Sequence, residues 1–151
     1  ADAATVVGPL IDAAKRDEVV EQIAGAEVLA GGGARGHGYL EPTLLTGEHH
    51  TNSTELFAPV LSVQPVAGMD EALAQLHALE YGLVAGIVSP LRDEIEAFAR
   101  SAEAGIVRVN APTAGVEPHV PFGGVKASSF GPREQGRAGL EFFSETRTIY
   151  G

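Results

Sequence analysis

The sequence predicts an α/β fold built on parallel strands, and three observations carry that expectation. Apolar runs at 59–66, 83–88 and 106–110 have the length and composition of buried strands. The intervals between them hold apolar residues at helical spacing: Ala72, Leu73, Leu76 and Leu79 in the first, Ile95, Phe98, Ala99 and Ala102 in the second. The links are short, and strand, helix, strand, helix, strand in that order returns parallel strands through right-handed crossovers.

Each element has its own local reason. The first helix begins after Asp12, whose carboxylate can cap it, places Val19, Val20 and Ile23 on one face, and stops near Gly25. A short strand at 27–30 follows. Gly31, Gly32, Gly33, Gly36 and Gly38 make the next stretch a loop, and an extended segment at 43–45 lies behind Pro42. A helix starts at Asp70. For the next helix Ser89 is the predicted N-cap, with Pro90 at the first helical position and Gly105 as the stop. A last helix is expected at 132–143. Residues 146–150 read as a strand with nothing after them to pair with, and so as a strand that pairs elsewhere.

The chain has 151 residues, enough for one domain that buries roughly 68–70% of its unfolded surface. Its 20 Asp+Glu against 10 Lys+Arg give a formal charge of −10, which argues against nucleic acid and anionic membranes as partners, since both need a basic face. No apolar stretch approaches the roughly 20 residues that span a bilayer, and the first residues lack a signal-peptide pattern, so the expectation is a cytoplasmic protein. There is no cysteine, which excludes disulfides, thiolate metal sites and a cysteine nucleophile within these residues.

Several motifs carry little chemistry. Gly31, Gly33 and Gly36 satisfy G-x-G-x-x-G, but a dinucleotide fingerprint must open into a helix, and His37-Gly38-Tyr39-Leu40-Glu41-Pro42 is no helix. These glycines read as a turn. His49 and His50 are adjacent, so in a helix or strand their rings diverge, and no ligand set for a metal stands near them.

Two segments are different. Glu55-Leu56-Phe57-Ala58-Pro59-Val60 resembles the E-x-F-G-P-V of the NAD(P)-dependent aldehyde dehydrogenases, and the run from Val109 to Gly136 resembles that family's V-N followed by P-F-G-G-x-K-x-S-G and R-E-x-G. Gly8-Pro9-Leu10-Ile11 and Tyr81-Gly82-Leu83 match two further landmarks in the same order. Ala58 and Ser129 depart from the pattern, each standing where the family usually has glycine. The sequence around Ser129 is similar to the branch that oxidises 2-oxoglutarate semialdehyde, also called 2,5-dioxovalerate.

The resemblance implies a C-terminal portion: the three-layer parallel sheet of the catalytic domain over residues 1–145, then an oligomerisation strand at 146–151. The NAD-binding domain and the catalytic cysteine segment are absent. It assigns Glu55 to the hydroxyls of the nicotinamide ribose and Phe57 to the nicotinamide ring of NAD or NADP. A carboxylate can accept from two vicinal hydroxyls, and an aromatic two residues on in an extended segment shares its face. Asn110, Thr113, His119 and Phe122 lie in the stretch that lines the aldehyde tunnel of the family. Lys126, Arg133 and Glu134 read as packing or interface groups. No catalytic residue is expected in this chain, because the nucleophilic cysteine and the general-base glutamate of the family lie upstream. The implied partners are the rest of the chain, a small-molecule aldehyde and further subunits in a dimer or tetramer. The competing expectation is a non-catalytic interaction or oligomerisation domain that keeps the fold alone.

Overall fold

The computed structural model describes residues 6–151 and divides after Pro65 into two units. In the first unit, α1 (Ala13–Gln22) begins as expected: the Asp12 carboxylate accepts a hydrogen bond from the Lys15 backbone N–H at 2.7 Å. A cap of this kind is worth about 1 kcal/mol. The inner face of α1 is the predicted one, with Val19 and Ile23 buried alongside Leu40, Leu45 and Leu56, and Leu10, Val20, Ala26, Ala58 and Val60 packed around them. Burying a side chain such as Val19 or Leu45 stabilises the unit by roughly 1.5–3 kcal/mol.

Strand β1 (Glu27–Ala30) falls where the sequence places it. The glycine loop holds more than a turn. Within it β2 (Ala34–Arg35) pairs antiparallel with β3 (Tyr39–Leu40) across a short 3-10 turn at Gly36–Gly38. No α-helix follows the glycines. Gly31 is needed for space, since a Cβ there would lie 2.0 Å from the Pro42 carbonyl oxygen, and its φ of +76° is one that side chains rarely adopt. Strand β4 (Thr43–Thr46) runs between β1, antiparallel, and β5 (Val60–Val63), parallel, in a three-stranded ladder.

The second unit opens with α2 (Met69–Ala78), followed by β6 (Tyr81–Gly82), β7 (Val84–Ile87), α3 (Arg92–Ser101) and β8 (Ile106–Val109). Strands β7 and β8 pair in parallel, Val84 opposite Ile106 and Ile87 opposite Val109, with α3 as the crossover. The α/β class with parallel strands is therefore what the chain adopts. Ala85 on β7 and Phe98 on α3 are buried.

Three boundaries differ from expectation. Helix α3 starts at Arg92, with Leu91 rather than Ser89 at its N-cap, and it ends at Ser101, well before Gly105. Ser89 spends its hydroxyl locally: it accepts from the Leu91 N–H at 3.0 Å and donates to Glu94 at 2.6 Å. Helix α4 (Gly136–Phe142) begins later than predicted, because Glu134 is held as a strand-like bridge to Phe122. Residues 144–151 adopt no regular structure and pair with no strand among the described residues, and Ile149 and Tyr150 are exposed.

Strand β9 (Val125–Lys126) pairs antiparallel with β6 and closes a junction made almost wholly of main chain. The Gly105 N–H donates to the Gly82 carbonyl at 3.0 Å. A Cβ on Gly105 would sit 1.9 Å from the Gly123 carbonyl oxygen, and one on Gly82 would sit 2.6 Å from that of Glu103. Backbone packs directly on backbone here.

Candidate cofactor and substrate site

In the first unit the site is built around one buried residue. Leu56 is anchored in the core, and this fixes Glu55 and Phe57 on either side of it as exposed groups. Both line a cavity of about 400 Å³ with Asn52, Thr54, Val60 and Ser62. The Glu55 carboxylate has no hydrogen bond or ion pair among the described residues. Phe57 is 81% exposed and has φ of +54°, a left-handed conformation unusual for a bulky residue. The segment is thus not extended, and the alternation argument for a shared face does not apply. Both residues border the one cavity, and the chain turns at Phe57.

A free carboxylate beside an exposed ring fits a ligand that offers paired hydroxyls and a flat heterocycle, which are the features of a nicotinamide riboside. Glu55 could accept from the hydroxyls and Phe57 could cover the ring. Backbone strain held at an exposed aromatic is characteristic of functional positions. Ala58 replaces a glycine without difficulty, since its backbone is not left-handed and its methyl group packs on the core.

In the second unit, Asn110, Thr113, His119 and Phe122 stand on the loop after β8, the carboxyl end of a parallel strand, where open α/β sheets hold their ligands. Each is held separately. Asn110 has φ of +51°, its side-chain carbonyl accepts from the Ser89 N–H at 2.9 Å, and its NH2 donates to the Ser89 carbonyl at 3.0 Å. Its amide is therefore committed to the segment just after β7 and shapes the loop. Thr113 is exposed, its methyl group 3.1 Å from where a Cβ on Gly86 would lie. His119 is exposed, with Nδ1 3.9 Å from a Glu117 carboxylate oxygen. Phe122 is half-buried, its N–H donating to the Glu134 carbonyl at 2.7 Å and its carbonyl accepting from the Glu134 N–H at 2.8 Å.

Ser129, the second departure from the family pattern, accepts from the Gly124 N–H at 2.7 Å and so steadies the end of this loop. Arg133 donates to the Gly124 carbonyl from the other side. Lys126 ties β9 to the end of α2, donating to the carbonyls of His77 at 2.8 Å and Leu79 at 3.0 Å while pairing with Glu103 at 2.9 Å. The hydrogen bond from Lys126, and then its charge, hold the Glu103 carboxyl below its ordinary value. A carboxylate with a lowered folded pKa adds stability above its unfolded pKa, about 4.3, and that stability is lost as pH falls through the folded value. The expected result is that Glu103→Gln lowers the melting temperature at about pH 7 and that this difference closes as pH falls through the lowered pKa of the folded Glu103 carboxyl. A difference that stays constant across the acid range would remove the pair from the pH response.

Sequence reasoning missed Arg108, whose Nη2 donates to the carbonyls of Ala114 at 2.7 Å and Gly115 at 3.2 Å. Its partners are main-chain atoms, which carry no residue signature. The histidine pair also differs from expectation: the rings of His49 and His50 lie in contact, centroids 4.2 Å apart and tilted by 43°. Among the described residues no group of His, Cys, Asp and Glu could hold a metal ion, and no helix is long and apolar enough to cross a membrane.

A parallel strand pair with its crossover helix, and a loop beyond the strand's carboxyl end, define a ligand-binding type of α/β fold. The model of the aldehyde dehydrogenase family matches residues 1–149, and the chain belongs to that family. It is 39% identical over 160 residues to an alpha-ketoglutarate semialdehyde dehydrogenase of Haloferax volcanii, covering 95% of this chain and 33% of that protein. It is 37% identical over 155 residues to a 2,5-dioxopentanoate dehydrogenase of Saccharolobus solfataricus, covering 95% and 32%. Among solved structures, glyceraldehyde-3-phosphate dehydrogenase GapN from Methanocaldococcus jannaschii, complexed with NADP, superposes with a TM-score of 0.89 at 30% identity, covering 98% of this chain and 33% of that one. The semialdehyde branch is the one that the motifs around Ser129 resemble. The chain spans about a third of the length of these relatives.

Proposed function

We propose that the chain is the C-terminal portion of an NAD(P)-dependent aldehyde dehydrogenase, and that the whole protein oxidises 2-oxoglutarate semialdehyde to the corresponding dicarboxylate. The observation that carries this reading is the pairing of an unpartnered Glu55 carboxylate with the left-handed, exposed Phe57 at one cavity. A scaffold without chemistry has no use for either. The relatives named for alpha-ketoglutarate semialdehyde and 2,5-dioxopentanoate support the substrate, and the NADP complex of a similar structure supports the cofactor.

In this reading the cofactor accepts hydride from the aldehyde carbon. Glu55 and Phe57 hold its nicotinamide riboside, and the loop bearing Asn110, Thr113, His119 and Phe122 lines the path of the aldehyde. The nucleophilic cysteine and the general-base glutamate belong to the upstream part. The exposed residues 146–150 supply a strand to another subunit, which satisfies their backbone groups and covers Ile149 and Tyr150.

The test is a substrate panel on the whole protein. The expected result is NAD(P)-dependent oxidation of 2-oxoglutarate semialdehyde with kcat/KM at least about 10-fold above that for an uncharged aldehyde of equal length, the difference that 1.4 kcal/mol of selective binding gives. Equal rates for the two would sink the substrate assignment. A native product no longer than this chain, with no turnover of any aldehyde, would favour the interaction domain.

A further inference from the structure

The loop that leaves β8 has no core of its own. Every residue from 111 to 120 is exposed, so apolar burial does not fix its course. Its shape has to come from polar contacts and from close approach. Three such contacts tie its first half to β7, to the residues just after β7 and to β8, and in its second half the Gly136 N–H donates to the Pro118 carbonyl at 3.2 Å. Asn110 grips both backbone groups of Ser89 at the foot of the loop. Thr113 sits over Gly86, where the absence of a side chain leaves room for its methyl group. Arg108 reaches from β8 to the carbonyls of Ala114 and Gly115 near the crown.

The third contact has the marks of a built feature. The Arg108 side chain is half-buried under the loop it holds, and its Nε is buried without a partner among the described residues. Gly115 is shaped to receive it. That residue has φ of +101°, and a Cβ there would come within 3.0 Å of Arg108 Nη2. One cation donating to two successive carbonyls fixes the direction of the peptide between them, and a planar guanidinium does this with more angular definition than an ammonium.

We propose that Arg108 is a positioning residue for the substrate: it sets the crown of the loop against which the aldehyde lies and so governs which aldehydes are accepted. This rests on the reading above, that the loop lines the aldehyde path. Arg108 does not touch the reacting atoms. It acts through the Ala114 and Gly115 peptides, whose displacement by even 1 Å is enough to change rates by orders of magnitude in a preorganised site.

The experiment compares Arg108→Met and Arg108→Lys with the parent in the whole protein, by limited proteolysis with a protease of broad specificity and by steady-state kinetics. In R108M, cleavage within 111–120 should quicken at least about 10-fold, and the KM for aldehyde should rise about 10-fold while that for NAD(P) stays unchanged. R108K should fall between R108M and the parent, since an ammonium can keep one of the two carbonyl contacts. Unchanged cleavage in the loop would overturn the clamp and leave the substrate reading standing. Faster cleavage with an unaltered KM for aldehyde would instead show that the loop is not the substrate wall, and both statements would fail together. A parallel rise in both KM values would make Arg108 merely structural. Should R108M not fold, the same outcomes are read from R108K.

Discussion

The isolated chain is expected to give no aldehyde-dependent reduction of NAD or NADP. In the family to which it belongs a thiolate attacks the carbonyl carbon, and the bound aldehyde then gives up hydride. None of the 151 residues is cysteine. Two groups that stand beside a carboxylate among the described residues are already spent in local contacts. Ser89 is engaged with Leu91 and Glu94, and Lys126 with two carbonyls and Glu103. Nucleotide reduction followed optically with a panel of aldehydes should match the rate without protein. Turnover that copurifies with the chain through repeated chromatography would overturn the assignment of the nucleophile to the upstream part.

In the whole protein, Glu55→Gln is expected to slow hydride transfer by roughly 10²-fold while leaving capture of the aldehyde by the thiolate nearly unchanged. The carboxylate has two oxygens able to accept from paired hydroxyls. An amide keeps one acceptor and turns a donor toward the other hydroxyl, so the riboside loses its fixed orientation. Stability offers a control. Glu55 is exposed and unpartnered among the described residues, so the melting temperature of the variant without ligand should not move. Single-turnover measurement at saturating cofactor separates the two steps, and an unaltered hydride-transfer rate would take Glu55 out of the site.

The parts of this fold that the sequence announces are those with local causes. Asp12 caps α1 because a carboxylate one residue before a helix has free N–H groups to reach, and Val19 and Ile23 are buried because they share its inner face. The parallel pair β7–β8 was likewise legible from two apolar runs around a helical stripe. The failures arise where a local signal is captured by a distant partner. Ser89 and Pro90 have the look of a helix start, yet the Ser89 backbone is held by Asn110, so the helix waits until Arg92. Pro132 and Arg133 favour an early start for α4, yet Glu134 is tied to Phe122. At the candidate site, motif resemblance alone points to Glu55, Phe57 and the loop, and no residue-type signal announces the left-handed φ of +54° at Phe57.

The glycine junction of Gly82, Gly105 and Gly123 bears on how such a protein can diversify. It fixes the far end of the loop by main-chain contact, as the Ser89–Asn110 clasp fixes the near end. Between these two moorings the chain contributes nothing to the core. The stretch behaves as an exchangeable cassette: doubling its length costs only about 0.6 kcal/mol in closure entropy. If the arch is the aldehyde wall proposed above, new substrate ranges can be acquired by rewriting it together with its Arg108 anchor, with the rest of the frame that folds the unit left untouched.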